Sequence, residues 1–488
     1  MTVKRRIAIV NRWIALTVTL MVSASALSRA VGAQSGSDFP VAPPVLAHPR
    51  AVTTPTPVEA TLVSGLVLWA VHRPGPALAE VALVVRHRMA RSDAYQSVAL
   101  LTAELMVESR AGFGSTHSAS DRAEQLGGSL DATIRPNATI IRLRAPVERL
   151  NEGVAILSDL ARAPHFRASS LLQVRKRLAN ETESLWSDPW YVANKTMESL
   201  LESRGTTPMQ DGVEAARRLR RVSLADVNEW HANAFLPESA TVIVVGSLPT
   251  ERAQALSGGL FGTWPRRSVA RPSLAPKRLH APAWDSARRG QVVNVAASAQ
   301  VSVRLAAKVT GANDAEATVL AAMLGGAQTS RLNLALRERH GFAYHVGGSI
   351  QRAPGGVRVQ LSAELDPARL DSALHLIDAE LSIVRDSSLE ASYVAAQRYV
   401  LLGVPTSVET PRAIADWLVD LSVAGAGSRD FSLFPSRLAQ VTPARLRTLA
   451  QGVLSEGLQV AITGDSALVL QALRADSVRT PFSVVARP

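Results

Sequence analysis

The sequence of 488 residues contains no cysteine. Disulfide bonds, thiolate metal sites and cysteine nucleophiles are therefore excluded. Aromatic residues make up only 5% of the chain, and five of its 53 basic residues are lysines. Hydrophobic residues nevertheless account for 47%, which is enough apolar material to build large cores. At about 150 residues per domain, this length predicts two or three domains.

The first 33 residues contain no acidic residue and five basic ones: Lys4, Arg5, Arg6, Arg12 and Arg29. An apolar stretch at residues 14–27 follows the first basic cluster and is short for a membrane span. Small residues then lead to Ala33. This pattern predicts a cleaved secretory signal at residues 1–33, with an uncleaved N-terminal anchor as the alternative. We therefore expect an exported, periplasmic protein, or an extracellular one, with no membrane span after cleavage.

The formal charge of +12 falls to +7 (12 − 5) once residues 1–33 are removed. No block of five or six consecutive basic residues occurs, and few aromatic residues are available for base stacking. The sequence therefore does not support nucleic-acid binding. Four arginines at residues 217–221 favour a solvated helix end, with docking of an acidic partner as the alternative.

Two proline-rich segments divide the chain. Residues 34–52 predict a leader segment, and residues 263–284, where four prolines lie among arginines and serines, predict a linker. The sequence thus predicts two domains, at residues 53–262 and 285–482.

The two predicted domains repeat one pattern. An alternating strand and a helical segment at residues 140–157 correspond to residues 357–377, and Leu370 lies 220 residues after Leu150. Buried strands that end at Gly246 and Gly464 give an offset of 218 (464 − 246). The agreement predicts an internal duplication in which each half is an α+β unit with helices packed on one face of a sheet.

Four segments carry a family resemblance: residues 61–68, 123–132, 324–332 and 336–346. Through them the chain resembles the insulinase and pitrilysin-type zinc peptidases, especially two-domain subunits like those of mitochondrial processing peptidase. The resemblance covers residues 55–480. It implies two homologous domains, each an antiparallel-rich sheet with helices on one face, arranged as half of a clamshell. It also makes residues 61–68 the first strand.

Active members of that family carry His-x-x-Glu-His on a helix, which places two imidazoles and a general base on one face. Here Leu101 and Leu105 stand at the histidine positions, and Glu104 alone remains. The distant glutamate ligand of the family falls at Thr182, between two glutamates. No two histidines of the chain are four residues apart. We therefore expect no metal or other cofactor in this chain, core packing for the leucines, and no catalytic duty for Glu104.

A second signature of the family is retained. Arg337 and Tyr344 match, in identity and spacing, the Arg and Tyr that reach across the clamshell. A guanidinium can hold substrate carbonyls, and a phenol can donate to an oxyanion. The alternative is a surface arginine and a packing tyrosine. Gly325 and Gly326, with Thr329 and Ser330, predict either a substrate-binding loop or an ordinary turn between helices.

The resemblance implies a use for this combination, because some family members are heterodimers in which one subunit supplies the zinc helix and the other the Arg/Tyr domain. We therefore predict the non-zinc subunit of an exported heterodimeric peptidase that acts on peptides or unfolded polypeptides. Zinc is expected in the partner, and this chain is not expected to be active alone. The alternative is a stand-alone peptide-binding or scaffold protein without catalysis.

Overall fold

Two six-stranded sheets organise the chain, which a computed structural model describes at residues 53–87, 93–110, 116–202, 212–266, 289–295, 298–353, 356–386, 390–455, 458–475 and 482–485. The predicted signal, the predicted leader up to residue 52 and most of the predicted linker lie outside these residues. Within them, no helix is long and apolar enough to cross a membrane.

The first sheet belongs to the first half of the chain. Its strands are β1 (Val58–Thr61), β2 (Val67–His72), β3 (Leu78–Arg86), β4 (Ser129–Arg135), β5 (Ala138–Pro146) and β6 (Ala240–Gly246). They lie in the order β1-β2-β6-β3-β5-β4, and every pair is antiparallel except β2 with β6. The continuous apolar run of β6 is buried along its whole length, which suits a central strand covered on both faces.

The second sheet belongs to the second half. Its strands are β7 (Arg289–Asn294), β8 (Val301–Val309), β9 (Ala343–Ala353), β10 (Gly356–Leu365), β11 (Gln459–Gly464) and β12 (Phe482–Val485). Their order, β12-β7-β11-β8-β10-β9, reproduces that of the first sheet. The outer strand differs: β1 is antiparallel to β2, whereas β12 comes from the end of the chain and is parallel to β7. The predicted α+β class with antiparallel-rich sheets is confirmed.

Helices connect these strands. Those of the first half are α1 (Asp93–Val107), α2 (Ala119–Gln125), α3 (Leu150–Arg162), α4 (Ala168–Leu185), α5 (Pro189–Glu202), α6 (Gly212–Arg221), α7 (Leu224–Ala234) and α8 (Thr250–Phe261). Those of the second half are α9 (Asp314–Ala321), α10 (Leu370–Asp386), α11 (Glu390–Ser407), α12 (Pro411–Ala424), α13 (Arg429–Gln440), α14 (Pro443–Ser455) and α15 (Ser466–Ala475).

Local sequence signals explain several helix ends. Ser223 caps α7 in a capping box with Asp226, and the Thr442 hydroxyl accepts a hydrogen bond from the backbone of Arg445 at the start of α14. Such side-chain oxygens satisfy backbone N–H groups that have no partner within the helix. Thr410 caps α12 in the same way, and Gly425 ends that helix in the left-handed conformation.

The two faces of each sheet pack against different halves of the chain. Because successive strand residues point to opposite faces, Val81 and Leu83 of β3 join the core under the helices of the first half, whereas Ala82 and Val84 join a separate cluster. That second cluster is completed by α12, with Ile414, Leu418 and Leu421 among its residues. A helix from the second half therefore covers the outer face of the first sheet.

A helix from the first half covers the outer face of the second sheet in the same way, so that the two halves exchange one helix each. Met197 and Leu201 of α5, from the first half, pack on Ala306 and Ala461 of the second sheet. Helices α5 and α12 begin 222 residues apart (411 − 189), which matches the repeat offset in the sequence. The sequence predicted helices on one face of each sheet, and the structure adds this helix from the other half on the opposite face.

Polar contacts fix both exchanged helices. Asp416 of α12 lies 3.1 Å from the guanidinium Nε of Arg142 on β5. Arg304 of β8 is 1% exposed and donates to the side-chain oxygen of Asn194 on α5 at 2.9 Å. It also pairs with Glu364 of β10 at 2.8 Å, so its buried charge is compensated.

The single strand that the resemblance implied at residues 61–68 is wrong. Thr61 ends β1 and Val67 begins β2, and the residues between them form a tight turn in which the Leu62 N–H donates to the Leu66 carbonyl at 2.8 Å. Gly65 occupies the left-handed region at φ +86°, which a residue with a Cβ rarely adopts. The sequence has a turn here because Ser64 and Gly65 interrupt the apolar pattern.

Candidate functional site

Helix α1 carries the positions at which the family would bind zinc, and its apolar face is buried. Leu101 and Leu105 are 0% and 1% exposed and belong to the core of the first half. Their spacing of four residues places both on one face of the helix, directed into that core. Thr182, on α4, is also buried at 9%. The three ligand positions are therefore occupied by side chains that pack and do not bind metal.

The remaining carboxylate of that motif forms an ion pair. Glu104 accepts a hydrogen bond from Arg177 of α4 at 2.8 Å, and the same guanidinium pairs with Glu181 at 3.3 Å. The hydrogen bond to Glu104 is the main cause that raises the pKa of Arg177. Arg177 thus places a fixed cation beside the only carboxylate that the zinc motif retains, and the sequence reasoning missed it.

A zinc ion does not fit this arrangement. Structural and catalytic zinc sites use three or four nitrogen, sulfur or carboxylate ligands at close range. Among the residues that the structure describes, no group of three or more histidine, aspartate or glutamate side chains could hold a metal ion. The lone carboxylate next to an arginine offers one ligand and a repelling charge.

Arg337 lies in a different kind of backbone. The segment Asn333–Arg339 is a π-helical turn, a wider coil that is frequent at functional sites. The Arg337 side chain is 47% exposed, and its ion pair with the adjacent Glu338 is long, at 4.0 Å. Gly341, at φ +62°, then reverses the chain into β9. The guanidinium is therefore presented at the surface with most of its donors available.

Tyr344 lies in a β-bulge. Glu364 of β10 pairs with His345 and the next residue, Leu365, pairs with Ala343, so that Tyr344 has no partner on the neighbouring strand. A bulge changes the direction of the side chain that it carries. Ala343 is buried at 7%, whereas Tyr344 is 81% exposed. Arg337 and Tyr344 thus lie on consecutive segments of the chain, near the end of the π-helical turn and at the start of β9.

The glycine pair packs against this same strand. A Cβ added at Gly325 would lie 2.7 Å from the carbonyl oxygen of Gly347, and one at Gly326 would lie 2.5 Å from that of Gly348. Gly325 and Gly326 end a second π-helical turn, Ala322–Gly326. They let this helix end approach the backbone of β9 closely, a contact for which a side chain leaves no room.

The two hydroxyl residues after the glycines differ in environment. Thr329 is exposed, and Ser330 is buried at 2% with no hydrogen bond from its hydroxyl to the described residues. The structure therefore brings Gly325 and Gly326 next to the strand that carries Tyr344. Substrate binding by the four residues stays a prediction.

The sequence model of one known family matches the middle of the chain. Residues 221–398 match the sequence model of a family described as the peptidase M16 inactive domain. No curated protein matches the chain.

Solved structures extend the likeness to most of the chain. A peptidase M16 inactive domain from Pseudomonas fluorescens superposes with a TM-score of 0.69 at 15% identity, covering 84% of this chain and 98% of that one. A protease from Helicobacter pylori gives a TM-score of 0.71 at 15% identity, with 84% and 99% covered. At such identities the likeness establishes the fold.

A larger protein also matches. The periplasmic protease PqqL from Escherichia coli has a TM-score of 0.66 at 15% identity; 89% of this chain is covered but only 52% of PqqL. The chain thus spans about half of PqqL and nearly all of the two shorter proteins.

Proposed function

Because the chain is an insulinase-like member of the M16 peptidases that lacks the zinc motif, we propose that it is the non-zinc subunit of a heterodimeric peptidase. A partner of the same family supplies the zinc helix, and this chain supplies the Arg337 and Tyr344 side chains. The substrate is a peptide or an unfolded polypeptide.

The observation that carries this proposal is the contrast between the two predicted sites. The metal positions are filled by buried leucines and an ion pair, whereas Arg337 and Tyr344 are exposed on irregular backbone. π-helical turns and β-bulges are frequent next to functional sites, where they redirect a side chain. Two such irregularities beside two exposed side chains of the predicted site support a functional use for both residues.

The proposed roles follow from the chemistry of the two groups. The Arg337 guanidinium has five N–H donors in a plane and stays protonated, so it can hold peptide carbonyl oxygens in one orientation. The Tyr344 hydroxyl can donate a hydrogen bond to the oxyanion that forms when a peptide carbonyl is attacked. The zinc of the partner would supply the activated water for that attack.

The proposal extends to the location and history of the chain. A signal at residues 1–33 would export it, and the fold it shares with a periplasmic protease supports this. The two sheets with one strand order support an origin by duplication. The clamshell would then close between this chain and its partner.

Mass spectrometry of the protein from its native host should find an N-terminus at Gln34, and an intact Met1 or Thr2 would contradict the export signal.

The test of the subunit role uses the chain together with a zinc-bearing family member from the same genome. An unstructured fluorogenic peptide should be cleaved by the mixture and not by this chain alone. Arg337→Ala and Tyr344→Phe should each lower kcat by about 10²-fold or more, the usual effect of removing an oxyanion or positioning donor, while the two chains still co-elute.

Matched controls are available on the surface of the second half. Arg369→Ala and Tyr399→Phe change exposed residues of the same types and should leave turnover unchanged. If Arg337→Ala and Tyr344→Phe also leave turnover unchanged, the stand-alone scaffold alternative replaces the catalytic subunit.

A further inference from the structure

An excess of basic residues lies on two helices that pack beside α1, the helix with the former metal positions. Helices α4 and α6 together carry seven basic residues and three acidic ones. They pack against each other, and Arg175 of α4 donates to the backbone carbonyl of Val222, just after α6, at 3.1 Å. We call the exposed side of α4 and α6 the basic face.

The carboxylates of this region are already engaged. Glu104 and Glu181 pair with Arg177. Glu183 pairs with Arg220 at 2.9 Å. Glu214 is shared by Arg217 and Arg218. The next acidic residue along the chain, Asp226, accepts hydrogen bonds from Ser223 in the cap of α7. None of these groups is left to neutralise a further cation.

Two exposed cations of these helices have no ion pair with a described residue, while the half-buried Arg175 contacts only the Val222 carbonyl. Lys176 on α4 and Arg221 at the end of α6 are both exposed, and neither pairs with any described carboxylate. Arg217 and Arg218 both contact Glu214. The basic face therefore keeps a net positive charge after its internal pairs are counted.

A helix end explains part of this charge but not all of it. Arginines in the last turn of α6 interact favourably with the carbonyl end of the helix dipole. Lys176 and Arg177, in contrast, lie in the middle of α4, where no helix end calls for positive charge. Two helices thus contribute cations to one surface, and a guanidinium matches a carboxylate through two parallel hydrogen bonds.

We propose that the basic face binds acidic segments of peptides, with Lys176 and Arg221 as principal contacts for their carboxylates. The inference deepens the proposed function, on which it rests for the choice of a peptide as the ligand, and it names the substrate class. The positive charge of the basic face would attract a negatively charged substrate from solution and hold it at this surface.

The test measures binding to the isolated chain, so it needs no partner. A fluorescein-labelled peptide of twelve residues rich in glutamate and serine is titrated with the protein at low salt, beside a peptide with lysine in place of glutamate. The acidic peptide should bind more tightly, and its affinity should fall as salt screens the charges. The double variant Lys176→Glu/Arg221→Glu should weaken binding by about tenfold, because two attractive pairs become repulsive.

The matched control is Arg369→Glu/Arg447→Glu, which changes the net charge equally at exposed positions of the second half that form no ion pair with a described residue. Equal weakening by the control would show that overall charge and not the basic face attracts the peptide, and would overturn the inference. So would equal binding of the lysine peptide. Tighter binding of a single-stranded oligonucleotide, lost in the first double variant, would assign the face to a polyphosphate and also overturn it.

The two proposals fail separately. Binding of the acidic peptide that depends on Lys176 and Arg221, without cleavage by any zinc-bearing partner, overturns the subunit role and leaves the basic face. Cleavage by the mixture with no preference for acidic peptides overturns the basic face and leaves the subunit role.

Discussion

Helix α1 and the segment from Asn333 to Tyr344, which the sequence predicted to correspond to two parts of one active site, differ in backbone regularity and in exposure. The first is regular helix with Leu101 and Leu105 buried and Glu104 ion-paired. The second contains a π-helical turn and a bulge and presents its side chains to solvent. The positions predicted to have lost zinc binding are regular and packed in the core, whereas the positions predicted to contact substrate lie on irregular, exposed backbone.

The largest expected effect on stability comes from a substitution in the buried face of α1. Leu105→Ala should lower the free energy of unfolding by about 2–5 kcal/mol, since it removes a buried side chain and leaves a cavity. Tyr344→Ala, at an exposed position, should change it by less than about 0.5 kcal/mol. Urea denaturation of both variants measures the two values. Similar values would contradict the assignment of the leucine to the core.

A buried histidine of the first half should make the stability of the protein depend on pH. Burial lowers the pKa of His231 on α7 to about 4, although its hydrogen bond to the Leu160 carbonyl opposes the shift. Because the folded pKa lies below the unfolded value, the unfolded chain binds the proton more tightly. The contribution of this buried imidazole to the free energy of unfolding is fully present above pH 6.5. It is lost as the pH falls towards 4, and it amounts to about 3 kcal/mol at most.

His231→Phe should flatten this part of the stability curve between pH 6.5 and 4, as followed by urea unfolding at several pH values. The second half offers the control, because His340, His345 and His375 are exposed. Substitution of His375 by Gln should leave the acid dependence in place. An unchanged curve in His231→Phe would show that the buried imidazole is not the cause.

A third substitution tests the close packing of the π-helical turn Ala322–Gly326 against β9. Gly326→Ala places a methyl group against the backbone of Gly348 and should cost about 1–3 kcal/mol by overpacking. Gly258→Ala, on α8, meets no atom within 4 Å and should stabilise the chain by about 0.5–1 kcal/mol through higher helix propensity. Thermal and urea unfolding should place the two variants on opposite sides of the parent protein, and a tolerated Gly326→Ala would mean that the close approach to β9 is dispensable.

The smallest effect is expected at the ion pair that replaced the metal site. Both partners are partly exposed, so the coupling between Glu104 and Arg177 should be about 0.5–1 kcal/mol and should decrease with salt. A double-mutant cycle with Glu104→Gln and Arg177→Met measures it, and Arg149 with Glu152 on the surface provides a comparison pair. Coupling of several kcal/mol would indicate that the arginine has a larger structural role.

Much of this architecture could be predicted because its signals are local. Alternation marked β5 and β10, since a strand period depends on a few neighbouring residues. The loss of metal ligands at Leu101 and Leu105 was equally readable. These features need no knowledge of distant contacts.

The remaining features depend on residues far apart in the chain. Arg177 pairs with Glu104 across 73 residues, and nothing in the sequence near either residue indicates the partner. The bulge at Tyr344 exists only in relation to the register of β10. In the same way, α5 and α12 look like ordinary amphipathic helices, and their exchange is decided by which sheet face is left uncovered.

That exchange limits how the protein can be divided. A half of the chain made without the other would lack the helix that covers its outer sheet face and would leave residues such as Trp69 and Ile243 in water. If the two halves were encoded by separate genes, each product would need the helix that covers its outer sheet face. Otherwise the two fragments would have to associate during folding. The two halves therefore depend on each other structurally, although each contains its own six-stranded sheet.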